Sequence, residues 1–406
     1  MATLADTLRQ FGPAYLAEHT LTTPQAKAWR AIVACRTAAL GGARLACDHC
    51  KHVHWQYHSC RNRHCPQCGA RAKDAWLQSR VAQALPVPYA HLVFTLPHSL
   101  NGLYGAHQRW VIDTLFASTA QTLTEFTNNP KWIAADGDAN AGRGAMMPAF
   151  TLMLHTWTQD LRQHIHVHAV MACGALDADG RWHCPTRKPN FLFPVEALSC
   201  VFRGKFMAAL KAARQEGLLE RDPDTEAGAW SARHKALYRH DWVVYAKTPL
   251  GGSAQVLEYL SRYTHRTAIS NERIVAISDR DVVISVRADE KGGKRREHIE
   301  GGEFVRRIML HVLSTGIKRI RHYGLLASAC KTVRLAQARA ALAMPPINPR
   351  AVESARDFMQ RVAKIDVLRC PDCRVGTLKV VEVVVGQPRL PDPAKTVRRQ
   401  ACRGPP

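Results

Sequence analysis

Residues 164–168 read His-Ile-His-Val-His, and this alternation is the strongest structural constraint in the chain. Successive side chains of a β-strand point to opposite faces, so His164, His166 and His168 share one face while Ile165 and Val167 share the other. Burying three titratable rings on one face without a ligand would be costly. The pattern therefore predicts a strand whose apolar residues enter the core and whose histidines form a metal-binding face. Further along, the chain offers Tyr259-Leu-Ser-Arg-Tyr263. Two tyrosines four apart on a helix lie on one side and can present both hydroxyls to one site. Taken alone the pair reads as helix packing. Beside a metal-binding face it suits two linked strand-transfer steps catalysed by a metal-dependent tyrosine nuclease.

Of the 13 cysteines, five fall in the stretch CDHCKHVHWQYHSCRNRHCPQCG at 47–69. Cys47-x2-Cys50 and Cys65-x2-Cys68 can each form a tight turn that presents two thiolates, and four thiolates satisfy tetrahedral zinc. In a reducing compartment such clustering indicates metal rather than disulfides. Cys60, His52, His54, His58 and His64 keep the ligand set open, since Cys60 or His64 can replace one of the four or serve a second ion. Cys370-Pro-Asp-Cys373 is half a zinc site, for which the candidate partners are Cys330, Cys402 or a histidine, the alternative being a pair that holds no metal. Lys51, Arg61, Arg63, Arg71 and Lys73, with Trp55 and Tyr57 between them, suit phosphate contact and base stacking. They suit equally the solvated face of a structural zinc module.

The chain carries 56 Lys+Arg against 33 Asp+Glu, a formal charge of +23, and such a surface attracts a polyanion, usually nucleic acid. No apolar run is long enough for a transmembrane helix, and the first residues lack the apolar core of a secretory signal. A cytoplasmic, nucleoid-associated protein with no membrane partner is expected.

Its 406 residues allow two or three domains. Apolar spacing predicts helices over 1–45, ending in a turn at Gly41-Gly42. A β-type run follows at 91–98, helices continue to 128, and 129–149 reads as loop. Strands are expected at 149–155 and 164–174, a hairpin turn at Asp177–Gly180, helix over 195–219, strand over 241–246 and helix over 253–263. Residues 273–287 read as two strands joined at Asp279-Arg280-Asp281, with helix from 303 and a disordered tail from 386. The fold class is α+β with a mainly antiparallel central sheet flanked by helices. The expected segments are 1–85 (helical and zinc-binding), 86–290 (nuclease), 291–345 (a basic helical extension) and 346–406 (a C-terminal region with the CxxC pair). Arg306, Arg307, Lys318, Arg319 and Arg321 in the third segment are candidates for holding DNA.

Four features in this order resemble one family. The cysteine-rich stretch with HSCRNRHCPQCG at 58–69 is similar to the N-terminal zinc-binding domain of IS91-type and ISCR transposases, within the HUH endonuclease superfamily. Phe94-Thr-Leu-Pro97 resembles the first motif of rolling-circle initiators. HIHVH at 164–168 resembles the HUH motif, and YLSRYTHRTAISN at 259–271 the nucleophile motif. The likeness spans roughly residues 10–345 and implies an HUH-endonuclease-like core.

It further implies a rolling-circle transposase in which a divalent ion, Mg or Mn, sits on His166 and His168. Tyr259 and Tyr263 would attack single-stranded DNA at transposon ends and target through 5′-phosphotyrosine intermediates. Some relatives use a single tyrosine. The third metal ligand is open between His164, on the right face, and His155, on the adjacent strand. Arg262 and Arg266, with His265, flank the tyrosines and could bind phosphates. No helicase motif is found, so a host helicase and the replication machinery are expected partners. The competing readings are a plasmid or phage replication initiator with the same chemistry, and a zinc-dependent DNA-binding protein with a decayed site. Oligomeric state is not legible.

Overall fold

A computed structural model describes residues 2–133, 145–186, 192–220, 227–250, 267–288, 292–347 and 353–386. Its central sheet is antiparallel throughout and contains Tyr89–Thr95 (β3), Met147–Trp157 (β4), Gln163–Leu176 (β5), Val244–Leu250 (β7) and Ile320–Gly324 (β11). The strand order is β11-β4-β5-β3-β7, with the short Trp182–His183 (β6) also paired to β5. The expected mixed fold, helices around a mainly antiparallel sheet, is the observed one. β5 is the middle strand, and its alternation works as the sequence requires. Ile165, Val167, Ala169 and Met171 are buried in the main core, while His166 and His168 occupy the opposite face.

The apolar face is covered by two long helices, Gln108–Asn128 (α5) and Val195–Gln215 (α6). Leu115, Phe116 and Leu123 of α5 and Phe202, Phe206 and Leu210 of α6 are fully buried there. Phe94 of β3 meets Phe202 edge-on, with ring centroids 5.2 Å apart. Each such side chain contributes roughly 1.5–3 kcal/mol through burial, so this layer anchors the sheet. The histidine face is covered more thinly. Helix Ala70–Gln83 (α3) has no fully buried residue, yet its Leu77 packs against Met153 and Val170 on that face.

A second core joins the N-terminal helices Leu4–Glu18 (α1) and Thr23–Ala34 (α2) to a three-stranded sheet and to the helix Gly301–Leu310. That sheet comprises Ile274–Ile277 (β8), Asp281–Arg287 (β9) and Lys294–Glu300 (β10) in the order β10-β9-β8. The two strands expected over 273–287 are therefore present. They pack with the N-terminal helices, because Val282, Ile284 and Val286 of β9 turn inward toward Leu8, Trp29 and Ile32. A third sheet, β12-β1-β2, brings together Gly42–Cys47 (β1), Val53–Tyr57 (β2) and Leu378–Val384 (β12) from opposite ends of the chain.

The basic helical extension expected over 291–345 does contain the helix Gly301–Leu310, but it also contains strands. Lys294–Glu300 is strand, and Ile320–Gly324 is the edge strand β11 of the central sheet, paired with β4 in the register Tyr323↔Phe150. Tyr323 stacks on Phe150 at 5.2 Å, so cross-strand packing outweighs the helical reading of a basic segment. The helix expected over 253–263, which carries Tyr259 and Tyr263, lies outside the described residues, as does the tail from 387. Among the described residues no helix is long and apolar enough to cross a membrane.

Candidate active site

The pairing of β4 with β5 sets His155 directly opposite His166, and His168 lies two residues further on the same face. His155, His166 and His168 are all buried, and their ligand nitrogens come within 4.8 Å of one another. His168 Nε2 stands 3.1 Å from His155 Nδ1. Nitrogens sharing one ion at about 2.1 Å are separated by about 3.0–3.4 Å, so the donor set fits a metal. Among the described residues it is His155 that clusters with His166 and His168. His164 shares the face, but its Nδ1 lies 2.9 Å from His98 Nε2 and it does not join the cluster. Of the two candidates left open by the sequence, antiparallel register brings His155 of the neighbouring strand opposite His166, a placement that sequence adjacency could not rank.

The outer nitrogens select the tautomers. His166 Nδ1 lies 3.0 Å from the His164 carbonyl oxygen, which can only accept, so Nδ1 carries the proton and Nε2 keeps its lone pair. His168 Nδ1 lies 2.9 Å from Nε2 of the buried His91 on β3. A proton on His168 Nδ1, donated to His91, leaves His168 Nε2 free to face the site. Histidine ligands are commonly oriented by such an outer partner. His91 was not singled out by sequence reasoning; its position on the strand flanking β5 was the available signal. Burial first, then the nearby His164, holds His166 down to about 4. It is therefore neutral and ligand-competent at neutral pH.

The triad lies in a cleft of about 720 Å³ whose walls also include Lys73, Trp157, His164, Thr267, Ser270 and Arg273. Beside it is a cleft of about 890 Å³ lined by Arg61, Arg63, Arg71 and Arg319. Cys65, Gly69 and Thr267 line both. Arg319 stacks over Trp157, its guanidinium carbon 5.0 Å from the ring centroid. Burial, then Arg63, lowers its pKa to about 10, so it stays charged at neutral pH.

The remaining basic candidates divide by their partners. Lys318 is exposed. Arg306 and Arg307 both bind Glu303, the latter at 2.7 Å. Arg321 pairs with Asp113 and lies 4.1 Å over the Phe116 ring. Each of these three guanidiniums has a carboxylate partner within the protein. Arg63 also donates to the Ile317 carbonyl oxygen at 2.7 Å. Arg262 and Arg266, like Tyr259 and Tyr263, lie outside the described residues.

The expected four-cysteine zinc site is divided between two clusters. Cys65 and Cys68 join Cys60 and Cys35, whereas Cys47 and Cys50 join Cys370 and Cys373. Strand β2 lies between the two C-x2-C turns in the chain, and Cys35, at the end of α2, joins the second turn instead. Cys35 was missed because it stands alone, without the x2 spacing. In the first cluster Cys68 Sγ lies 3.3 Å from Cys35 Sγ and 3.6 Å from Cys60 Sγ. Four sulfurs about 2.3 Å from a tetrahedral zinc stand about 3.8 Å apart, so the thiols are close to a ligating arrangement. Hydrogen bonds from Cys60 and Cys65 hold Cys35 well below the ordinary thiol range, and contact with Cys35 pushes Cys60 and Cys65 up in turn.

A family model described as "Putative transposase" matches residues 149–333, and one described as "Transposase zinc-binding domain" matches residues 7–96. The first contains the histidine triad, the second the Cys35–Cys68 cluster. "Putative transposase y4qJ" of Sinorhizobium fredii is 38% identical over 403 residues, 96% of this chain and 98% of the relative.

The chain belongs to the IS91-type transposase family.

The transposase for insertion sequence element IS801 of Pseudomonas savastanoi pv. phaseolicola is 25% identical over 348 residues, covering 84% of this chain and 80% of the relative. A metal-bound structure of the conjugative relaxase TrwC with OriT DNA matches 48% of this transposase and 68% of its own chain, at 13% identity and a TM-score of 0.26. That score is too low to support an argument about the site.

Proposed function

We propose that this transposase cuts and rejoins single-stranded DNA through covalent tyrosine links, mobilising an insertion sequence by a rolling-circle route. The observation that supports this best is the buried His155–His166–His168 cluster at a cleft bordered by Lys73, Arg273 and the arginine-lined cleft beside it. His155 Nδ1, His166 Nε2 and His168 Nε2 would hold a divalent cation. Three imidazoles favour Mn or another transition metal over Mg, which prefers oxygen ligands. When bound, such an ion supplies Lewis-acid stabilisation of the charge that develops on the scissile phosphate.

The chain's own groups do the rest. A hydroxyl of Tyr259 or Tyr263 attacks phosphorus, its proton passes to solvent or a nearby base, and the P–O3′ bond breaks. The 5′ phosphate stays on the tyrosine and a free 3′-OH leaves. The second tyrosine serves the second cut, and each later 3′-OH attack releases a tyrosine, so phosphodiester energy is conserved. Thr267, which lines the cleft, is four residues along the chain from Tyr263 and one from Arg266. Arg61, Arg71 and Arg319 would meet backbone phosphates. The Cys35–Cys60–Cys65–Cys68 cluster would hold a structural zinc that fixes one wall of the cleft, since Cys65 lines it. Strand separation would come from a host helicase and replication machinery in the cytoplasm.

The test is incubation of end-labelled single-stranded terminal DNA with Mn and wild type, Tyr259→Phe, Tyr263→Phe and the double variant, resolved on denaturing protein gels. A covalent adduct retaining the DNA 3′ of the cut, lost in the double variant, is expected. Metal-dependent binding with no adduct from wild type would overturn the nuclease reading and favour a DNA-binding protein.

A further inference from the structure

The second cysteine cluster is built from the two ends of the chain. Cys47 ends β1 and Cys50 follows it, Cys370 and Cys373 precede β12, and β1 pairs with β12 in the register Cys47↔Leu378. Cys47 Sγ lies 3.7 Å from Cys373 Sγ, and Cys50 Sγ lies 3.7 Å from Cys370 Sγ. These separations match about 3.8 Å for thiolates around one tetrahedral zinc and far exceed the roughly 2.05 Å of a disulfide.

The two turns have the same backbone construction. The residue after each pair is left-handed, Lys51 at φ 63° and Arg374 at φ 56°. Lys51 N–H donates to the Cys47 carbonyl at 3.2 Å, and Arg374 N–H to the Cys370 carbonyl at 3.1 Å. The first cysteine's N–H donates to the His52 carbonyl in one turn and to the Gly376 carbonyl in the other, both at 2.9 Å. An amide also points at a sulfur in each: Cys50 N–H at Cys47 Sγ and Gly376 N–H at Cys373 Sγ, both at 3.4 Å. Amides aimed at sulfur stabilise thiolate rather than thiol. Gly376 lies against the first turn, where an added Cβ would collide with Cys47 Sγ. Two matching turns facing each other across four sulfurs, with a glycine admitting the closest approach, form a built metal site.

We propose that Cys47, Cys50, Cys370 and Cys373 bind a second zinc, which fastens the C-terminal segment from residue 353 to the N-terminal module. The family-model matches at 7–96 and 149–333 both stop short of Cys370. The fastened segment also touches the wall of the cleft: Arg361 pairs with Asp74 of α3, and Arg71 donates to the Glu353 carbonyl at 2.6 Å. The second zinc closes a loop of most of the chain, and because no such site exists in the unfolded chain, its binding is coupled to docking of this segment.

The test is metal analysis of the full chain, purified reduced and dialysed without strong chelator. Wild type should carry two zinc per chain, Cys370→Ser/Cys373→Ser one, and Cys60→Ser/Cys68→Ser one. A single zinc in wild type would overturn the proposal whether or not the variants fold, as would two zinc retained by the Cys370/Cys373 variant. A Cys47–Cys373 or Cys50–Cys370 disulfide found by mass spectrometry under reducing purification would do the same. In a second measurement, a protease recognition sequence is inserted after Pro349 and cleaved. The C-terminal fragment should co-elute with the remainder until zinc is removed, then separate. Separation with zinc present, or co-elution after its removal, would refute the tether.

Discussion

His91→Phe isolates the part of the site least visible in the sequence. The ring is replaced by one of similar size in a buried position, and what disappears is the acceptor 2.9 Å from His168 Nδ1. Without it, His168 loses the partner that keeps its proton on Nδ1, and the population with Nε2 free to face His155 falls. Loss of an outer partner typically costs about 10–100-fold in metal affinity, or about 1.4–2.7 kcal/mol at 1.36 kcal/mol per decade. Affinity is read by Mn titration of purified protein followed by electron paramagnetic resonance, with thermal unfolding of the metal-free form as a control on folding. His91→Gln, whose carbonyl oxygen can accept the same proton, should recover part of the loss. A folded His91→Phe protein binding Mn within twofold of wild type would refute the tautomer argument. Equal losses in both variants would point to packing instead.

The remaining predictions concern other parts of the molecule. His155→Ala should weaken Mn binding by roughly 100-fold or more, at least the upper end of an outer-partner loss. His164→Ala should cost less than about tenfold, and the reverse order would restore His164 as the ligand. In single-stranded DNA binding, Arg61→Ala/Arg71→Ala should flatten the plot of log K against log salt by about 0.7 for each phosphate that is no longer neutralised. Arg306→Ala should leave that slope unchanged, because its guanidinium is held by Glu303. Burial, opposed by the Leu161 carbonyl and reinforced by Arg319, holds His311 down to about 4. Between pH 6.5 and 4 the unfolded chain therefore takes up a proton that the native state refuses, so stability falls as pH drops through that window. At about 1.36 kcal/mol per unit, this amounts to about 3 kcal/mol by pH 4 and nothing above pH 6.5. Urea midpoints from pH 7 to pH 4 should show a shallower decline for His311→Gln.

Local pattern determined a good deal of this protein. Period-two alternation over 164–168 is enough to make a strand with imidazoles on one face, because side-chain direction in a strand depends only on parity. The same reasoning recovered β8 and β9, long amphipathic α6, and the cysteine turns, whose x2 spacing is a local geometric requirement. Net charge, a sum over residues, pointed to nucleic acid without any fold.

Tertiary structure decided which local pieces meet. His155, rather than His164, joins the cluster with His166 and His168 because antiparallel register, a long-range property, places it opposite His166. His91 reaches His168 from the other neighbouring strand. The four expected zinc ligands part company because β2 lies between the two turns and β12 returns from the far end of the chain to pair with β1. Arg306, Arg307 and Arg321 look as available in the sequence as Arg61, but folding sets a carboxylate beside each. Spacing along the chain reports what neighbouring residues can do together; ligand sets and ion pairs form between residues that are distant in sequence, and only packing chooses among those.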